Sequence, residues 1–527
     1  MDTNTLILNI ALFLGIIFTV LSSKRYFHML QLNSYRNNRL LKWFDANFFA
    51  EFKYHDLIIM WSLCFLFSRY SLVFLLLWLC YFVFDFYMVY IKNATPVKKK
   101  FVMTARVKRL YFTLTALLLL LLLAASNTSH PRLVVTALAV LYMSKVGLTV
   151  LINTINHPIE LFISKWYVKD AKKILDAHNP MKIIGITGSY GKTSTKYILN
   201  KILSEKYNVL MTPESYNTPM GVIRTIRESL KPQHDIFIVE MGAKQSGDIK
   251  EICDLVKPGF GIITAVGLQH LESFGTLENI IDTKFELQRA IPEDGTVFLN
   301  YGNQNIRSVN LDKPVITYGI NDNTLDYWAE DIIYDNKGLS FTLHWEKERQ
   351  LRLTTRLLGV HNVLNITGAA SIALKFGLSE SQIQYAVKQL LPVPHRLELK
   401  PNDTGALVID DAFNSNPEGA MESLNVLSKF DGMKKVLISP GMIELGESEY
   451  QCNYDFGLRA AEVCDFIIWV GQNRSKPMVD ALEHKKYNKD NVFVAKNLTE
   501  ALGKMRSIVT KDSVVLFEND LPDNYEG

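Results

Sequence analysis

The chain has 527 residues, and we expect several domains because single hydrophobic cores stop growing at roughly 250 to 300 residues. Its net charge of +4 is small, and the excess of basic residues lies beside hydrophobic stretches in the first third, which argues against a nucleic-acid-binding protein. The five cysteines have no C-x-x-C spacing, so neither a zinc site nor a disulfide framework is indicated, and a reducing compartment is expected.

The first third of the chain contains hydrophobic stretches that are long enough to cross a membrane. Crossing a hydrocarbon core of ~30 Å takes about 20 helical residues. Residues 5–22 provide such a run, and Lys24 and Arg25 follow it where a signal peptide would have small residues. We therefore predict a helical transmembrane region over residues 1–153. The other stretches of this kind are 57–91, 110–125 and 133–152.

Two basic loops determine the orientation that we predict for these helices. Residues 23–56 and 92–109 are rich in Lys and Arg, and the positive-inside rule places such loops in the cytoplasm. Residues 57–91 must then enter and return, which gives about five passages with the amino terminus outside. A single long tilted span over 57–91 is the alternative. In both cases the residues after 153 are expected to be cytoplasmic.

A short apolar run at 182–187 is followed by a glycine-containing turn and a helix-like segment. In such a turn the backbone N–H groups approach phosphates, a lysine neutralises phosphate charge, and the following hydroxyl ligates Mg²⁺. Lys192 and Thr193 match these two roles, although the general P-loop pattern would need glycine where Ile186 stands. The residues predicted to bind the phosphates of ATP are Gly188, Ser189, Gly191, Lys192, Thr193 and Ser194.

The segment from Thr187 to Ser194, T-G-S-Y-G-K-T-S, resembles the ATP loop of the Mur ligases, and further motifs of that family follow in order. The resemblance implies an α/β fold with a central P-loop ATPase domain over 181–392 and a C-terminal Rossmann-like α/β domain over 393–527. Residues 154–180 would link these domains to the transmembrane helical bundle. Pro392 and Pro394 disfavour a helix at this point and so support a domain boundary there.

The resemblance also implies a metal site. Glu240 ends an apolar strand and matches a glutamate that holds magnesium in the family. His270 and Lys284 are fourteen positions apart and match a metal-binding histidine and a lysine that is carbamylated in much of the family. Thr193, Glu240, His270 and a carbamylated Lys284 are therefore the implied metal ligands, and Lys192, His270 and Lys284 the implied catalytic residues. An unmodified surface lysine at 284 is the alternative.

Further matches imply contacts to the rest of the nucleotide. Asn300 resembles an asparagine that contacts adenine, and Arg396 resembles an arginine that reaches the ribose and phosphate of ATP. A strand that ends in the carboxylates Asp410 and Asp411 fits recognition of ribose hydroxyls, and Asn414 offers an amide in the following turn. These five residues complete the implied nucleotide site. A helix cap rich in Asp and Asn is the alternative for the last three.

Residues 408–417 point to one branch of the family. They read V-I-D-D-A-F-N-S-N-P and resemble the D-D-x-Y-N-A-N-P element of the D-alanyl-D-alanine-adding (MurF-type) branch, with Phe413 and Ser415 replacing tyrosine and alanine. Residues 441–446 match that branch less closely. Where the branch has a K-G-S loop, this chain reads Glu518-Asn-Asp520, and we expect the acidic residues to alter recognition of the acceptor amine.

The resemblance implies an ATP- and Mg²⁺-dependent ligase of bacterial cell-wall (peptidoglycan) biogenesis that activates a carboxylate as an acyl phosphate and joins it to the amine of an amino acid or dipeptide. The implied location is the plasma membrane, with several passages and cytoplasmic catalytic domains. Implied partners are the lipid bilayer, the carboxylate precursor, the acceptor amine and a lipid-linked intermediate, without nucleic acid. The alternatives are a ligase that makes a poly-amino acid or decorates an envelope glycan, and a non-catalytic nucleotide-binding membrane scaffold.

Overall fold

The computed structural model of the chain separates into two compact units, one containing the described residues up to Trp166 and the other beginning at Tyr167. Most of the predicted hydrophobic stretch 57–91, and residues 133–139 and 141–143 of the stretch 133–152, lie outside the described residues. The structure describes residues 3–48, 80–81, 83–84, 87, 100–127, 140, 144–178, 180–311, 313–335, 338–401, 405–412, 415–443 and 445–519.

The described part of the first unit is helical. Its apolar side chains pack between helices, with Phe27, Leu30 and Leu114 fully buried. Polar contacts between the helices supplement this core: Arg109 donates to both carboxylate oxygens of Glu160 at 2.7 and 2.9 Å. The helices are α1 (Thr3–Leu32), α2 (Asn37–Ala46), α3 (Ala105–Asn127) and the first part of α4 (Lys145–Asp176).

Helix α4 runs through most of the segment that the sequence predicts to be a linker, and its last ten residues belong to the second unit. Ala171 is fully buried there in the apolar core. Arg227 forms an ion pair with Asp170 at 2.7 Å, and its guanidinium carbon lies 4.3 Å from the centre of the Tyr167 ring. The end of α4 is therefore an integral part of the second unit.

The first sheet of the second unit has nine strands in the order β2-β3-β1-β4-β5-β6-β7-β8-β9. The pairs from β2 to β7 are parallel, whereas β7, β8 and β9 pair antiparallel. Strands such as Ile236–Glu240 are buried along their whole length, as expected for a parallel sheet covered on both faces. The strands are β1 (Lys182–Thr187), β2 (Val209–Met211), β3 (Ile236–Glu240), β4 (Phe260–Ile263), β5 (Thr296–Asn300), β6 (Ile316–Ile320), β7 (Tyr327–Asp335), β8 (Gly338–Trp345) and β9 (Arg349–Thr355).

Helices cover this sheet and begin where its strands end. The helix after β1 carries the glycine turn at its amino end, and a later helix, Val360–Lys375, packs against it in the same apolar core. The helices are α5 (Lys192–Leu203), α6 (Pro219–Ser229), α7 (Asp248–Val256), α8 (Leu271–Phe274), α9 (Leu277–Ala290), α10 (Gln304–Arg307), α11 (Val360–Lys375) and α12 (Glu380–Lys388).

The second sheet has six strands in the order β10-β11-β15-β12-β13-β14, all parallel except β10. Asp411 and Glu518 are register partners at the carboxyl ends of neighbouring strands. Both sheets confirm the predicted α/β class. The strands are β10 (Glu398–Pro401), β11 (Leu407–Asp411), β12 (Lys434–Ser439), β13 (Phe466–Val470), β14 (Val492–Ala495) and β15 (Ser513–Glu518). The helices are α13 (Pro417–Ser428), α14 (Glu449–Val463), α15 (Lys476–His484) and α16 (Leu498–Ile508), with 3₁₀ turns at Gly446–Ser448 and Lys489–Asn491.

Candidate functional site

The turn between β1 and α5 accepts only glycine at two positions. Gly188 has φ +148°, and a Cβ there would lie 2.2 Å from Thr264 Oγ1. Gly191 has φ +78°, directly before the first turn of α5, and a Cβ there would lie 2.7 Å from Asn365 Oδ1. The turn therefore presents backbone N–H groups at a helix amino terminus, an arrangement that favours a phosphate or another anion.

Lys192 lies across this turn. Its Nζ donates to the carbonyl oxygens of Gly188 at 2.8 Å and Ser189 at 2.9 Å. The side chain is partly accessible but surrounded by protein, and this burial lowers the pKa of Lys192 to about 8, although the Glu240 carboxylate raises it. No carboxylate among the described residues forms an ion pair with Lys192 directly. With a pKa of about 8, Lys192 stays mostly protonated at neutral pH, so the turn holds a cation that no neighbouring carboxylate of the described residues pairs with directly.

Glu240, at the carboxyl end of β3, is the centre of a buried polar cluster. Its Oε1 accepts hydrogen bonds from Thr193 Oγ1 and Asn217 Nδ2, both at 3.1 Å. Its Oε2 lies 2.9 Å from Nζ of Lys196, which is fully buried and also donates to the carbonyl of Glu214. Asn217 and Lys196 are not among the predicted site residues. The position of Lys196, one helical turn after Lys192 on the same face, is the sequence signal that identifies it.

Lys284 is a second lysine with a strongly lowered pKa. It lies on α9 with 2% of its surface exposed. Burial lowers its pKa to about 7, and the nearby Lys192 acts in the same direction, while Asp248 opposes it. Its Nζ lies 5.8 Å from the centre of the Phe274 ring, at the end of the short helix α8. His270 directly precedes that helix, with a left-handed φ of 54°. A lysine in this state is a neutral amine about half of the time near pH 7.

The structure brings the predicted metal ligands Thr193 and Glu240 into contact. Within the part of the chain that the structure describes, no group of three His, Cys, Asp or Glu side chains could hold a metal ion. Of the four predicted ligands, only Glu240 and His270 belong to these residue types, and a carbamylated Lys284 would add a second carboxylate-like group to Glu240. The metal roles of His270 and Lys284 therefore stay predictions.

Three of the predicted nucleotide residues stand near or within the turn. Ser189 Oγ donates to the carbonyl of Gly267 at 3.0 Å and accepts from its N–H at 3.1 Å, so it links the turn to the segment after β4. Asn300 is buried, and its amide donates to the carbonyl of Thr264 at 2.6 Å. This amide is occupied within the protein, so the adenine contact stays a prediction. Ser194 lies in the first turn of α5 and is partly exposed.

Residues 359–365, which read G-V-H-N-V-L-N and form a motif at the start of α11, support the turn. Asn365 Oδ1 accepts a hydrogen bond from Thr195 Oγ1 at 3.1 Å. The same oxygen would lie 2.7 Å from a Cβ atom on Gly191, so it leaves no room for a side chain there. His361 is held beside Glu422 of the C-terminal domain, and burial lowers its pKa while Glu422 raises it. These contacts are consistent with a positioning role for the motif.

The C-terminal domain contributes Arg396 and two carboxylates. Burial lowers the pKa of Arg396, while Asp411, Glu240 and Glu518 raise it, so this guanidinium lies among acidic groups of both domains. Asp410 is held by Lys400 Nζ at 2.9 Å and by His395 Nδ1 at 2.8 Å. The predicted Asn414 lies outside the described residues. The structure therefore places Arg396, but not Asp410, among the charges that face Lys192.

The sequence predicts Glu518 only as part of an acidic loop. In the structure it is the last residue of β15 and is 1% exposed. Its Oε1 accepts a hydrogen bond from Ser415 Oγ at 2.6 Å, and its carboxyl group contacts that of Asp411. Burial and Asp411 raise the pKa of Glu518 well above its usual range. Its strand position shows this in retrospect, because Glu518 ends the strand next to Asp411.

Comparisons with known proteins agree with this geometry. The family model of the Mur ligase middle domain matches residues 186–373, and that of the Mur ligase glutamate ligase domain matches 395–518. The UDP-N-acetylmuramoyl-tripeptide–D-alanyl-D-alanine ligase of Mycobacterium tuberculosis is 35% identical over 251 residues, 47% of this chain and 49% of that protein. The Bacillus subtilis ligase of the same name is 27% identical over 339 residues, 64% of this chain and 72% of that protein.

A solved structure extends the comparison to the fold. MurF ligase from Thermotoga maritima in complex with ADP superposes with a TM-score of 0.60 at 25% identity, covering 69% of this chain and 81% of that one. The matched region spans about half the length of the mycobacterial relatives, so their full activity is not carried over by similarity alone. The Mur-type fold of the two α/β domains is confirmed.

The predicted localisation as a multi-pass plasma-membrane protein is wrong by the same comparisons. The curated relatives and the superposed structure described above are MurF-type ligases, and they give no support for a membrane-embedded enzyme or a bilayer partner. Of the described residues, only the helical segments Ala105–Ala124 and Lys145–Asp176 are long and apolar enough to cross a membrane. The physical reason for the error is that length and hydrophobicity alone do not establish a membrane span, and α1, α2, α3 and α4 bury part of their apolar side chains against one another.

Proposed function

Since the chain belongs to the Mur ligase family, we propose that it is an ATP-dependent ligase that activates a carboxylate as an acyl phosphate and joins it to the amine of an amino acid or dipeptide. The observation that carries this proposal is Lys192, a partly buried cation lying across a glycine turn, with Arg396 of the C-terminal domain close enough to lower its pKa. Two cations from two domains that converge on a phosphate cradle fit phosphoryl transfer.

The residues present fit ATP and Mg²⁺. The turn at Gly188 leaves no room for a side chain, as a backbone that closely approaches phosphates requires. Thr193 and Glu240 offer oxygen ligands of the kind that Mg²⁺ prefers. When bound, the metal would neutralise phosphate charge. A carbamylated Lys284 would supply a further oxygen donor.

The protein groups that we assign to catalysis act by position and charge. Lys192 holds the phosphates against the turn, and Arg396 approaches from the C-terminal domain, so the transferring phosphoryl group is flanked by positive charge. An acyl phosphate is lost to water unless the cleft closes, so exclusion of water is part of the same task. We propose residues 392–394 as the hinge between domains at 181–392 and 393–527.

The named reaction of the relatives, addition of D-alanyl-D-alanine to a UDP-N-acetylmuramoyl-tripeptide, is the reaction that we propose first for peptidoglycan synthesis. One departure favours a second candidate. Glu518 is a buried acid where the resemblance has a lysine, and Ser415 donates to it, so the region that would meet the acceptor is altered. A ligase that extends a poly-amino acid or decorates an envelope glycan is therefore the second candidate.

The test is acceptor-dependent release of ADP. Purified protein is incubated with ATP, Mg²⁺, UDP-N-acetylmuramoyl-tripeptide and a panel of amino acids and dipeptides, with D-alanyl-D-alanine included. We expect ADP release only when carboxylate and amine are both present, and a loss of about 10²-fold or more for Lys192→Ala. Lys201→Ala is the matched control, because Lys201 lies on the same helix but contacts Glu205 and the Tyr385 ring instead of the glycine turn. Nucleotide binding without acceptor-dependent turnover would contradict the ligase proposal.

A further inference from the structure

The carboxyl groups of Asp411 and Glu518 stand side by side at the carboxyl edge of the second sheet. Their strands are parallel neighbours, and the two residues are register partners, so their side chains leave the sheet on the same face. The two side chains are in hydrogen-bonding contact. Two carboxylates this close in a low-dielectric interior do not both ionise, because each disfavours the charge on the other.

Neighbouring donors show which carboxyl group carries the proton. Asp411 Oδ1 accepts the backbone N–H of Leu397 at 3.2 Å, and Arg396 lies close enough to stabilise a negative charge on Asp411. Glu518 is almost fully buried, and its Oε1 accepts the Ser415 hydroxyl at 2.6 Å. Its Oε2 is buried and accepts no hydrogen bond from the described residues, since the nearby Ser423 hydroxyl donates to the carbonyl of Ala420 at 2.8 Å. An oxygen in this position is satisfied when it carries a proton and donates it to Asp411.

We propose that Glu518 is a positioning residue for nucleotide binding: its protonated carboxyl group donates a hydrogen bond to Asp411 and holds Asp411 as the ionised member of the pair beside Arg396. This inference rests on the proposed function, in which Asp411 and Arg396 contact the ribose and phosphates of ATP. Glu518 itself is too buried to touch the nucleotide and acts through Asp411.

The charges around the pair agree with this assignment. Burial raises the pKa of Asp411 to about 6, against the opposing effect of Arg396, so Asp411 is ionised at neutral pH. Burial and Asp411 raise the pKa of Glu518 well above its usual range, so Glu518 keeps its proton under the same conditions. The other groups that face the pair are Asp410, which disfavours a second negative charge, and the Ser423 hydroxyl of α13. The pair and Arg396 together are then neutral.

Glutamine at position 518 tests the hydrogen bond, because an amide keeps both the size and the donor of a protonated glutamate. Binding of Mg²⁺ with a non-hydrolysable ATP analogue to the full chain is measured by calorimetry at neutral pH. We expect Glu518→Gln to weaken binding by less than about threefold, and Glu518→Ala to weaken it by roughly tenfold or more, since Asp411 then loses its donor.

Infrared spectroscopy tests the proton itself and does not depend on nucleotide binding. The wild-type spectrum at neutral pH should contain the C=O stretching band of a protonated carboxylic acid, and Glu518→Gln should lose it. Glu462→Gln is the matched control, because Lys485 and Arg459 lower the pKa of the exposed Glu462, which is therefore ionised. Its replacement should leave the band unchanged.

The outcomes separate this inference from the proposed function. Persistence of the band in Glu518→Gln, or equal weakening of nucleotide binding by Gln and Ala, overturns the positioning role while wild-type ligase activity stands. A wild-type chain that binds no nucleotide overturns both. Loss of the band together with rescue by glutamine supports the inference, because a purely structural role for Glu518 would not depend on a donor at this atom.

Discussion

The residues that converge on the glycine turn carry more positive than negative charge. Lys192, Lys196 and Arg396 face Glu240 and Asp411, and Lys284 lies close enough for Lys192 to lower its pKa. Burying cations without equal numbers of anions is costly, and lowered pKa values are the usual result. A bound phosphate compensates this excess of positive charge. The same arrangement that makes the unliganded protein less stable therefore makes binding of a nucleotide more favourable.

Lys284 provides a test at the scale of one residue. Carbamylation requires the neutral amine, and a pKa of about 7 makes the neutral form increase as pH rises through 7, whereas an ordinary lysine stays protonated until about pH 10. We expect protein equilibrated with ¹³C-bicarbonate to give a carbamate signal by NMR that grows between about pH 6 and about pH 8. Lys284→Arg should lack this signal, and the amino terminus and other lysines provide its background. An unchanged signal in that variant would falsify the modification.

Among secondary-structure elements, those that the sequence predicts correctly are marked by residue patterns within a short stretch of the chain. The apolar strand before Gly188, the glycine turn and helix α5 are adjacent in the chain, so spacing alone predicts their arrangement. Helical spacing places Lys196 on the same face as Lys192, but its pairing with Glu240, and that of Glu518 with Asp411, joins residues that are far apart in sequence. Glu518 became recognisable only once β11 and β15 were known to be neighbours.

One contact between elements predicts a measurable stability. Helix α11 begins at Val360 after Gly359, which provides no side-chain cap. Its first N–H donates to Glu422 Oε1 at 2.8 Å, so a carboxylate from α13 of the C-terminal domain caps this helix. We expect Glu422→Ala to lower the free energy of unfolding by roughly 1 kcal/mol, measured by urea denaturation, and Glu422→Gln to lower it by less, because an amide oxygen still accepts the bond.

The control for this prediction is Glu447→Ala, which removes an exposed carboxylate from a 3₁₀ turn in the same domain. Substitutions at such positions usually change stability by no more than about 0.5 kcal/mol. If Glu422→Ala and Glu447→Ala have equal effects, then the contact between α13 and the start of α11 does not stabilise the protein.

For the molecule as a whole, the sequence predicted the order of the domains better than the nature of the first third. Hydrophobicity alone does not distinguish a helix that faces lipid from one that packs in a core. It also gave no sign that the helix from Lys145 continues to Asp176 and enters the core of the second unit. The segment predicted to be a linker is therefore an element of that unit from Tyr167 onward.

Because the end of α4 belongs to the second unit, we can predict where the chain tolerates truncation. A fragment that begins at residue 167 keeps the buried Ala171, the packed side chains of Val168, Ile174 and Leu175, and the ion pair of Asp170 with Arg227. One that begins at residue 181 loses all of them. Full burial of a large apolar side chain stabilises by about 1.5–3 kcal/mol, and the partly buried Val168, Ile174 and Leu175 each contribute a fraction of that. We expect fragment 167–527 to unfold cooperatively and to bind ATP, and fragment 181–527 to melt at least about 5 °C lower in calorimetry. Equal melting temperatures would show that the end of α4 contributes nothing to the second unit and that its domain boundary lies near residue 181.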